Sequence, residues 1–211
     1  MINYTHILWD WNGTLLDDLA WCMATINTLL KRRGLPALDT IEDYHRVFGF
    51  PVKDYYRRVG FDFEREPFEI LAAEYIDFYH SDLSRVALFP DAIETLAAFQ
   101  LRGLRQVVLS ASELGNLLTQ MKPFRVDSFF DEILGIRDIF AAGKIDLGKA
   151  YIQRAKPEKA VLIGDSAHDK EVADALGIEC VLVARGHQSK GALLSCNTVV
   201  VDCFSDLKHI L

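Results

Sequence analysis

The 211-residue sequence predicts an α/β fold in which a parallel sheet with helices on both faces is interrupted by an all-helical insertion. Three observations carry this prediction. Short apolar runs recur along the chain, each closed by turn residues, and helical patterns separate the later ones. The runs are continuous rather than alternating and rich in Val, Ile and Leu, which suits strands buried on both faces. Between about Leu16 and Leu88 that rhythm stops, and apolar residues recur at helical spacing alone.

The first run, His6-Ile7-Leu8-Trp9, ends at Asp10. Leu16, Leu19, Met23, Ile26, Leu29 and Leu30 then repeat at helical spacing until Gly34 and Pro36 stop the helix. Its basic end, Lys31-Arg32-Arg33, complements the helix dipole. Thr40-Ile41-Glu42-Asp43 starts another helix in the manner of a capping box, and Pro51 and Pro67 suit first helical turns. Eleven aromatic side chains fall between Tyr44 and Tyr79, enough for a small bundle to fill its own core, and no strand is expected there. Beyond Leu88, helical patterns run from Asp91 to Leu101, Ser112 to Met121, Leu147 to Ala155 and Ala167 to Leu176. They alternate with strands at Gln106–Leu109, Glu132–Leu134, Ala160–Ile163 and Cys180–Val183, and Val199–Val201 is a further short strand. Such alternation argues for a parallel sheet. The expected division is residues 1–15 with 89–211 as the α/β core and 16–88 as the helical insertion.

Half the residues are hydrophobic and 25% are charged, a composition that excludes a disordered chain. A net charge of −7 without a long basic run excludes most nucleic-acid binding, which needs clustered Lys and Arg. No apolar run approaches the ~18 residues of a membrane span, and the N-terminus lacks a signal-peptide pattern. Cys22, Cys180, Cys196 and Cys203 form no CxxC pair and read as free thiols in a reducing compartment, so a cytoplasmic protein is expected. Whether it is a monomer or a dimer stays open.

Ligands of open parallel sheets bind at the carboxyl ends of the strands. Asp10, Ser110, Asp165 and the loop from Gly135 to Lys144 are therefore the informative positions. Asp10 is followed by Trp11-Asn12-Gly13-Thr14-Leu15, where the glycine permits a sharp turn and close approach to a ligand. The amides after Asp10 are candidates to cradle a phosphate, although Asn-Gly is also a common tight-turn pair. Asp165 and Asp169 stand one helical turn apart, and with Asp10 they would form an oxygen-rich site suited to Mg²⁺. Helix capping by Asp165 or Ser166 is the alternative, but capping alone does not require Asp169. Ser110, followed by Ala111, either meets a ligand or caps the next helix, a role for which Ser112 competes. Lys144 would add a cation, with Lys149 as its competitor.

Together these segments resemble the motifs of the haloacid dehalogenase-like (HAD) hydrolase superfamily. His6 through Leu15 looks like the first motif, Val107-Val108-Leu109-Ser110 the second, Lys144 the third, and Ile163-Gly164-Asp165-Ser166-Ala167-His168-Asp169 the fourth. The stretch 16–88 is similar to the α-helical cap of the phosphoglycolate phosphatase-like branch, and Leu88-Phe89-Pro90-Asp91-Ala92 resembles its re-entry to the core. The resemblance implies a Rossmann-like parallel core with an inserted all-helical cap. It also implies a Mg²⁺-dependent phosphoric monoester hydrolase acting on a small phosphorylated metabolite. Asp10 would be the nucleophile. Asp10, the main-chain carbonyl of Asn12, Asp165 and Asp169 (directly or through water) would hold Mg²⁺. Ser110 and Lys144 would bind phosphoryl oxygens, with Gly13, Thr14 and Ala111 at the same phosphate position.

Asn12 departs from the pattern. The family's phosphatases usually carry a second aspartate there, which protonates the leaving group and then activates water. General acid–base catalysis contributes roughly 10² to 10⁴ in rate. The departure implies substrates with good leaving groups such as acyl phosphates or anhydrides, a substitute among Asp17, His187 or water, or a slow phosphate-binding domain. A branch that cleaves phosphonoacetaldehyde also lacks this aspartate and uses a cap lysine, for which Lys53 is the candidate. The usual Lys-Pro of the third motif is here Lys144-Ile145. Arg46, Lys53, Arg57 and Arg58 are candidates to meet an anionic tail, and Tyr55 or Tyr56 to line the pocket. Arg185-Gly186-His187-Gln188 is a candidate loop at the active edge.

Overall fold

A computed structural model of the chain describes residues 4–136 and 143–211. Most of the sequence-predicted loop between Gly135 and Lys144 lies outside the described residues. The first apolar run forms β1 (His6–Trp9). The chain then makes β2 (Leu16–Asp17), α1 (Leu19–Arg32), α2 (Ile41–Val47), α3 (Val52–Arg58), α4 (Phe68–His80) and β3 (Ala87–Leu88). It continues with α5 (Ala92–Leu101), β4 (Arg105–Glu113), α6 (Leu114–Met121), β5 (Glu132–Ile136), α7 (Lys144–Ala155), β6 (Ala160–Gly164), α8 (Ala167–Leu176), β7 (Glu179–Val183), α9 (Lys190–Leu194) and β8 (Val199–Val201).

Six strands form one parallel sheet in the order β5-β4-β1-β6-β7-β8. Trp9 lies opposite Val108 on one side and Ile163 on the other, so β1, β4 and β6 bring their carboxyl ends to one edge. The strand order reverses there, and a crevice opens where neighbouring connections part to opposite faces. Side chains alternate along each strand. Leu8, Val107 and Leu162 pack against Tyr151 and Val172 on one face. Ile7, Trp9, Val108 and Ile163 pack with Leu96, Phe99 and Phe204 on the other.

The four helices α1 to α4 leave and rejoin the sheet through a short antiparallel ribbon, Leu16 opposite Leu88 and Asp17 opposite Ala87. No strand was expected in this stretch; two-residue strands are too short to show alternation in a sequence. The basic end of α1 finds partners across the bundle as well as the dipole. The Arg33 guanidinium bonds Glu66 at 2.6 Å and Glu74 at 2.5 Å, and Arg32 also reaches Glu74. Thr40 and Asp43 form the expected capping box.

Two boundaries differ from the sequence reading. β4 runs on to Glu113, so α6 starts at Leu114 and not at Ser112. The polar stretch Ser110–Glu113 follows a shift in register against β5, with Glu113 opposite Ile136, and tertiary pairing overrides its turn-like composition. α7 begins at Lys144, one turn before the expected Leu147, because its first turn carries a buried lysine in place of an apolar residue.

Candidate active site

Asp10 extends β1, Asp165 follows β6, and Asp169 sits in the first turn of α8. All three are buried, and a carboxylate oxygen from each lies within 4.8 Å of the others. Lys144 closes the group. Its Nζ donates to Asp10 Oδ1 at 2.5 Å and to Asp169 Oδ1 at 2.6 Å. Lys149, its competitor in the sequence, is exposed on the same helix. Asp169 also takes part in capping its own helix, so the capping and cluster roles, set apart in the sequence reading, fall on one side chain. Its Oδ2 accepts from the Ser166 amide at 3.0 Å and the Ser166 hydroxyl at 2.6 Å, while Oδ1 holds Lys144. Close approach demands glycine at two positions. A Cβ on Gly164 would stand 2.2 Å from Asp169 Cγ, and one on Gly13 (φ +74°) would stand 2.4 Å from Asp165 Oδ2.

The charge balance of this cluster is negative. Burial raises the Asp10 carboxyl above the usual carboxylate range, and the Lys144 ammonium offsets that only in part. Burial also raises Asp165; the facing His187 opposes this, while Asp10 and Asp169 add to it. Asp169 is held low, since Lys144 and the Ser166 hydroxyl outweigh its burial. Burial alone would depress Lys144, but two carboxylates push it above its ordinary value. Three oxygen donors sharing one ammonium leave Asp10 and Asp165 short of positive charge. The donor set is hard, anionic and oxygen-only, which fits Mg²⁺.

Gly13 and Thr14, expected at the phosphate position, have donors engaged within the protein. The Gly13 amide donates to Asp18 Oδ1 at 3.0 Å. The Thr14 hydroxyl lies 3.2 Å from both Asp10 Oδ2 and Asp165 Oδ1 and ties the two carboxylates together. Neither residue lines the cavity, whereas Ser110 and Ala111 do. The Ser110 hydroxyl accepts from the Ser112 amide at 3.1 Å, within the irregular part of β4, and does not cap α6.

Asn12 sits in a polar network that the sequence did not announce. Its Nδ2 donates to Asp18 Oδ2 at 2.8 Å and Gln120 Oε1 at 3.2 Å, and its Oδ1 accepts from the Ser112 hydroxyl at 3.0 Å. Asp18 also accepts from Tyr79 Oη at 2.8 Å, and its Oδ1 meets His187 Nε2 at 3.1 Å. Burial would raise Asp18, but the His187 imidazolium and these donors hold it low. Burial would lower His187, but Asp18 raises it to about 9. Both shifts favour the charged forms of the pair. Of the two residues named as substitute acids, His187 lines the cavity and Asp17 is exposed outside it. The residue that sequence reasoning missed is Asp18. It precedes α1 as an N-cap yet makes no side-chain cap, because its carboxylate serves this network.

A cavity of about 190 Å³ lies between the strand ends and the inserted helices. Asp10, Asn12, Ser110, Lys144 and Asp165 line one side. The inserted helices and the loop between α2 and α3 line the other with Tyr44, Phe48, Phe50, Val52, Tyr75, Ile76 and Tyr79. The four cations suggested for an anionic tail are elsewhere. Arg46 pairs with Asp43, Arg57 with Asp54, Arg58 donates to the Val47 carbonyl, and Lys53 Nζ lies 5.5 Å from the Phe63 and Phe68 rings. Tyr55 and Tyr56 are buried in the inserted bundle's own packing and do not line the cavity. Arg185 is held 3.9 Å from the Phe89 and Phe204 rings and pairs with Asp91, a packing role. Gln188 accepts from the Ala167 amide at 2.7 Å and so braces the start of α8.

The family model for haloacid dehalogenase-like hydrolases matches residues 7–183, a span that contains Asp10, Lys144, Asp165 and Asp169. The chain belongs to the haloacid dehalogenase-like hydrolase family. It is 26% identical to a phosphoglycolate phosphatase of Caulobacter vibrioides, over 98% of this chain and 90% of that one. It is also 26% identical to the tyrosine-protein kinase PtkA of Mycobacterium tuberculosis, over 92% of this chain and 67% of that one. A haloacid dehalogenase-like hydrolase family protein from Streptococcus pneumoniae shares the fold with a TM-score of 0.85 at 21% identity, covering 100% of this chain and 99% of the other. Relatives in this family thus carry both phosphatase and kinase names on one architecture. No helix among the described residues is long and apolar enough to cross a membrane.

Proposed function

We propose that this hydrolase is a Mg²⁺-dependent phosphatase acting on a small phosphorylated molecule, with Asp10 as nucleophile and residues 16–88 as a cap over the core. The observation that carries the proposal is the cluster itself. Three buried carboxylates and one ammonium meet at the carboxyl ends of β1 and β6. Phosphoryl transfer asks for little else than in-line positioning and positive charge around the equatorial oxygens.

Asp10, the Asn12 main-chain carbonyl, Asp165 and Asp169 would hold Mg²⁺, which when bound draws the phosphoryl oxygens in and neutralises their charge. Lys144 keeps Asp10 ionised and, with Ser110, faces the transferring group. An Asp10 oxygen forms a bond to phosphorus as the bond from phosphorus to the leaving oxygen breaks. Water then attacks the aspartyl phosphate and frees Asp10. The Asn12 amide is fixed by Asp18, Gln120 and Ser112; it orients the site but exchanges no proton. Closure of the inserted helices would exclude water during the first step. A cytoplasmic location accords with the free thiols.

The Schiff-base alternative through Lys53 loses support, since that amine lies on aromatic rings outside the cavity. The test is Mg²⁺-dependent phosphate release from acetyl phosphate and phosphoglycolate, with Asp10→Asn as the blank. Release from acetyl phosphate that vanishes in the variant is the expected result. Tight vanadate binding without release from any phosphate would instead favour a binding domain.

A further inference from the structure

On the side of the inserted helices, no cation lines the cavity. The wall there is Phe48, Phe50, Val52, Tyr75 and Ile76. Tyr44 and Tyr79 also line the cavity, but their hydroxyls are engaged, on His187 Nδ1 at 2.9 Å and Asp18 Oδ2 at 2.8 Å. They present rings, not polar groups. Arg46, Arg57, Arg58 and Lys53 are all committed elsewhere. A carboxylate pressed against this wall would lose its hydration with no partner in return, which is costly.

A second, independent observation concerns the departing oxygen. By the family resemblance Asn12 stands where an acid would protonate it, and its amide is locked by three partners. His187, the other candidate acid in the cavity, has both ring nitrogens engaged, Nε2 on Asp18 and Nδ1 on Tyr44, so no free acid among the described residues faces the departing oxygen and the leaving group departs as an anion. A phenol, with a pKa of about 10, does so readily. An aliphatic alkoxide, closer in basicity to hydroxide (water pKa ~15.7), does not.

Both observations converge, and we infer that the substrate is an aryl phosphate with an uncharged aromatic leaving group. The inference rests on the phosphatase reading above. A cavity of roughly 150 Å³ accepts a benzene ring, so about 190 Å³ takes one ring beside a phosphoryl group. In the reaction an Asp10 oxygen bonds to phosphorus, the bond from phosphorus to the aryl oxygen breaks, and its electron pair leaves as phenolate. The phenolate takes a proton from solvent after departure. Water then hydrolyses the aspartyl phosphate to inorganic phosphate.

The experiment compares kcat/KM with Mg²⁺ for phenyl phosphate, benzyl phosphate, phosphoglycolate and acetyl phosphate, with Asp10→Asn as the blank. Phenyl phosphate is expected to exceed benzyl phosphate by about 100-fold, the lower end of what a general acid supplies. It is expected to exceed phosphoglycolate by about 100-fold as well, the scale of one mismatched pocket. Ile76→Arg, at a position 37% exposed, places a cation on the wall and is expected to narrow the second ratio at least about tenfold through KM; Val52→Arg, 38% exposed, is its replicate. Equal rates on phenyl and benzyl phosphate, or phosphoglycolate matching phenyl phosphate, would overturn the inference. So would ratios indifferent to both arginine variants. Turnover of acetyl phosphate with phenyl phosphate inert would sink the aryl inference and leave the phosphatase standing. No release from any of the four would overturn both.

Discussion

The side-chain amide of Asn12 donates to the buried carboxylate of Asp18 at 2.8 Å. An aspartate at position 12 would therefore face a second carboxylate, not an empty acid site. Asn12→Asp alone is expected to lower stability by about 1–3 kcal/mol, the cost of a buried polar group left without its partner. Restoring an acid requires the double variant Asn12→Asp with Asp18→Asn, in which the amide and the carboxylate exchange places. Its kcat on benzyl phosphate should rise by about 10²-fold or more. Urea unfolding of the single variant and steady-state rates of the double check the two halves. A single variant as stable and as fast as the double would show that the contact does not matter.

Lys144 and Lys149 stand on one helix, but only the first is buried against Asp10 and Asp169. Lys144→Met should cut kcat/KM by about 10³-fold or more, on the scale of other preorganised charge-stabilising groups. Lys149→Met should stay within about twofold, as surface changes do. Phosphate-release kinetics of the two variants in parallel decide which lysine serves the phosphate.

Asp165 is raised by burial and by two neighbouring carboxylates, so its charge opposes folding when no cation is bound. In chelator, Asp165→Asn should raise Tm by about 2–4 °C, the shift of ~1 kcal/mol in a chain of this size. Mg²⁺ at 100 times its Kd should stabilise the unaltered protein by about 2.7 kcal/mol and should leave the variant's Tm unchanged. Differential scanning calorimetry with and without Mg²⁺ reads both effects without reference to activity.

His187 titrates near 9 in the folded chain against 6.5 for the free side chain, because Asp18 faces it. A raised folded value means that the ion pair contributes fully below about pH 6.5 and fades as pH rises through about 9. The interval corresponds to about 3 kcal/mol. The stability difference between the unaltered protein and His187→Gln, measured in chelator from pH 5.5 to 10, should be level at the acid end and shrink at the alkaline end. A difference that stays flat across that range would exclude the ionic form of the pair.

Much of the frame was legible because its signals are local. β1, β6 and β7 announce themselves as continuous apolar runs, and a parallel sheet necessarily gathers their carboxyl ends. Asp10, Ser110, Lys144, Asp165 and Asp169 follow from that placement. The network around Asn12 was not legible. Asp18, Tyr79, Gln120 and Ser112 come from four separate segments, and each has a commonplace local reading as cap, core or helix surface. That the Gly13 amide meets Asp18 and the Thr14 hydroxyl meets Asp165 was likewise not legible, since those partners are fixed only by the fold. For the cationic helices the missing information was which face turns inward. Asp43–Arg46 and Asp54–Arg57 are spaced three apart, a pairing that spends those arginines at the surface.

The ribbon that joins Leu16 to Leu88 and Asp17 to Ala87 gives the inserted helices a doorway two residues wide. The sheet register that aligns the carboxylates is set entirely outside that doorway, and the aromatic wall entirely within it. A lineage can therefore exchange the helical unit and inherit the cluster of Asp10, Lys144, Asp165 and Asp169 intact. The exchange carries one condition. Whatever replaces the unit must still offer a carboxylate in place of Asp18 and hydroxyls in place of Tyr44 and Tyr79, or His187 and the Asn12 amide lose the groups that hold them.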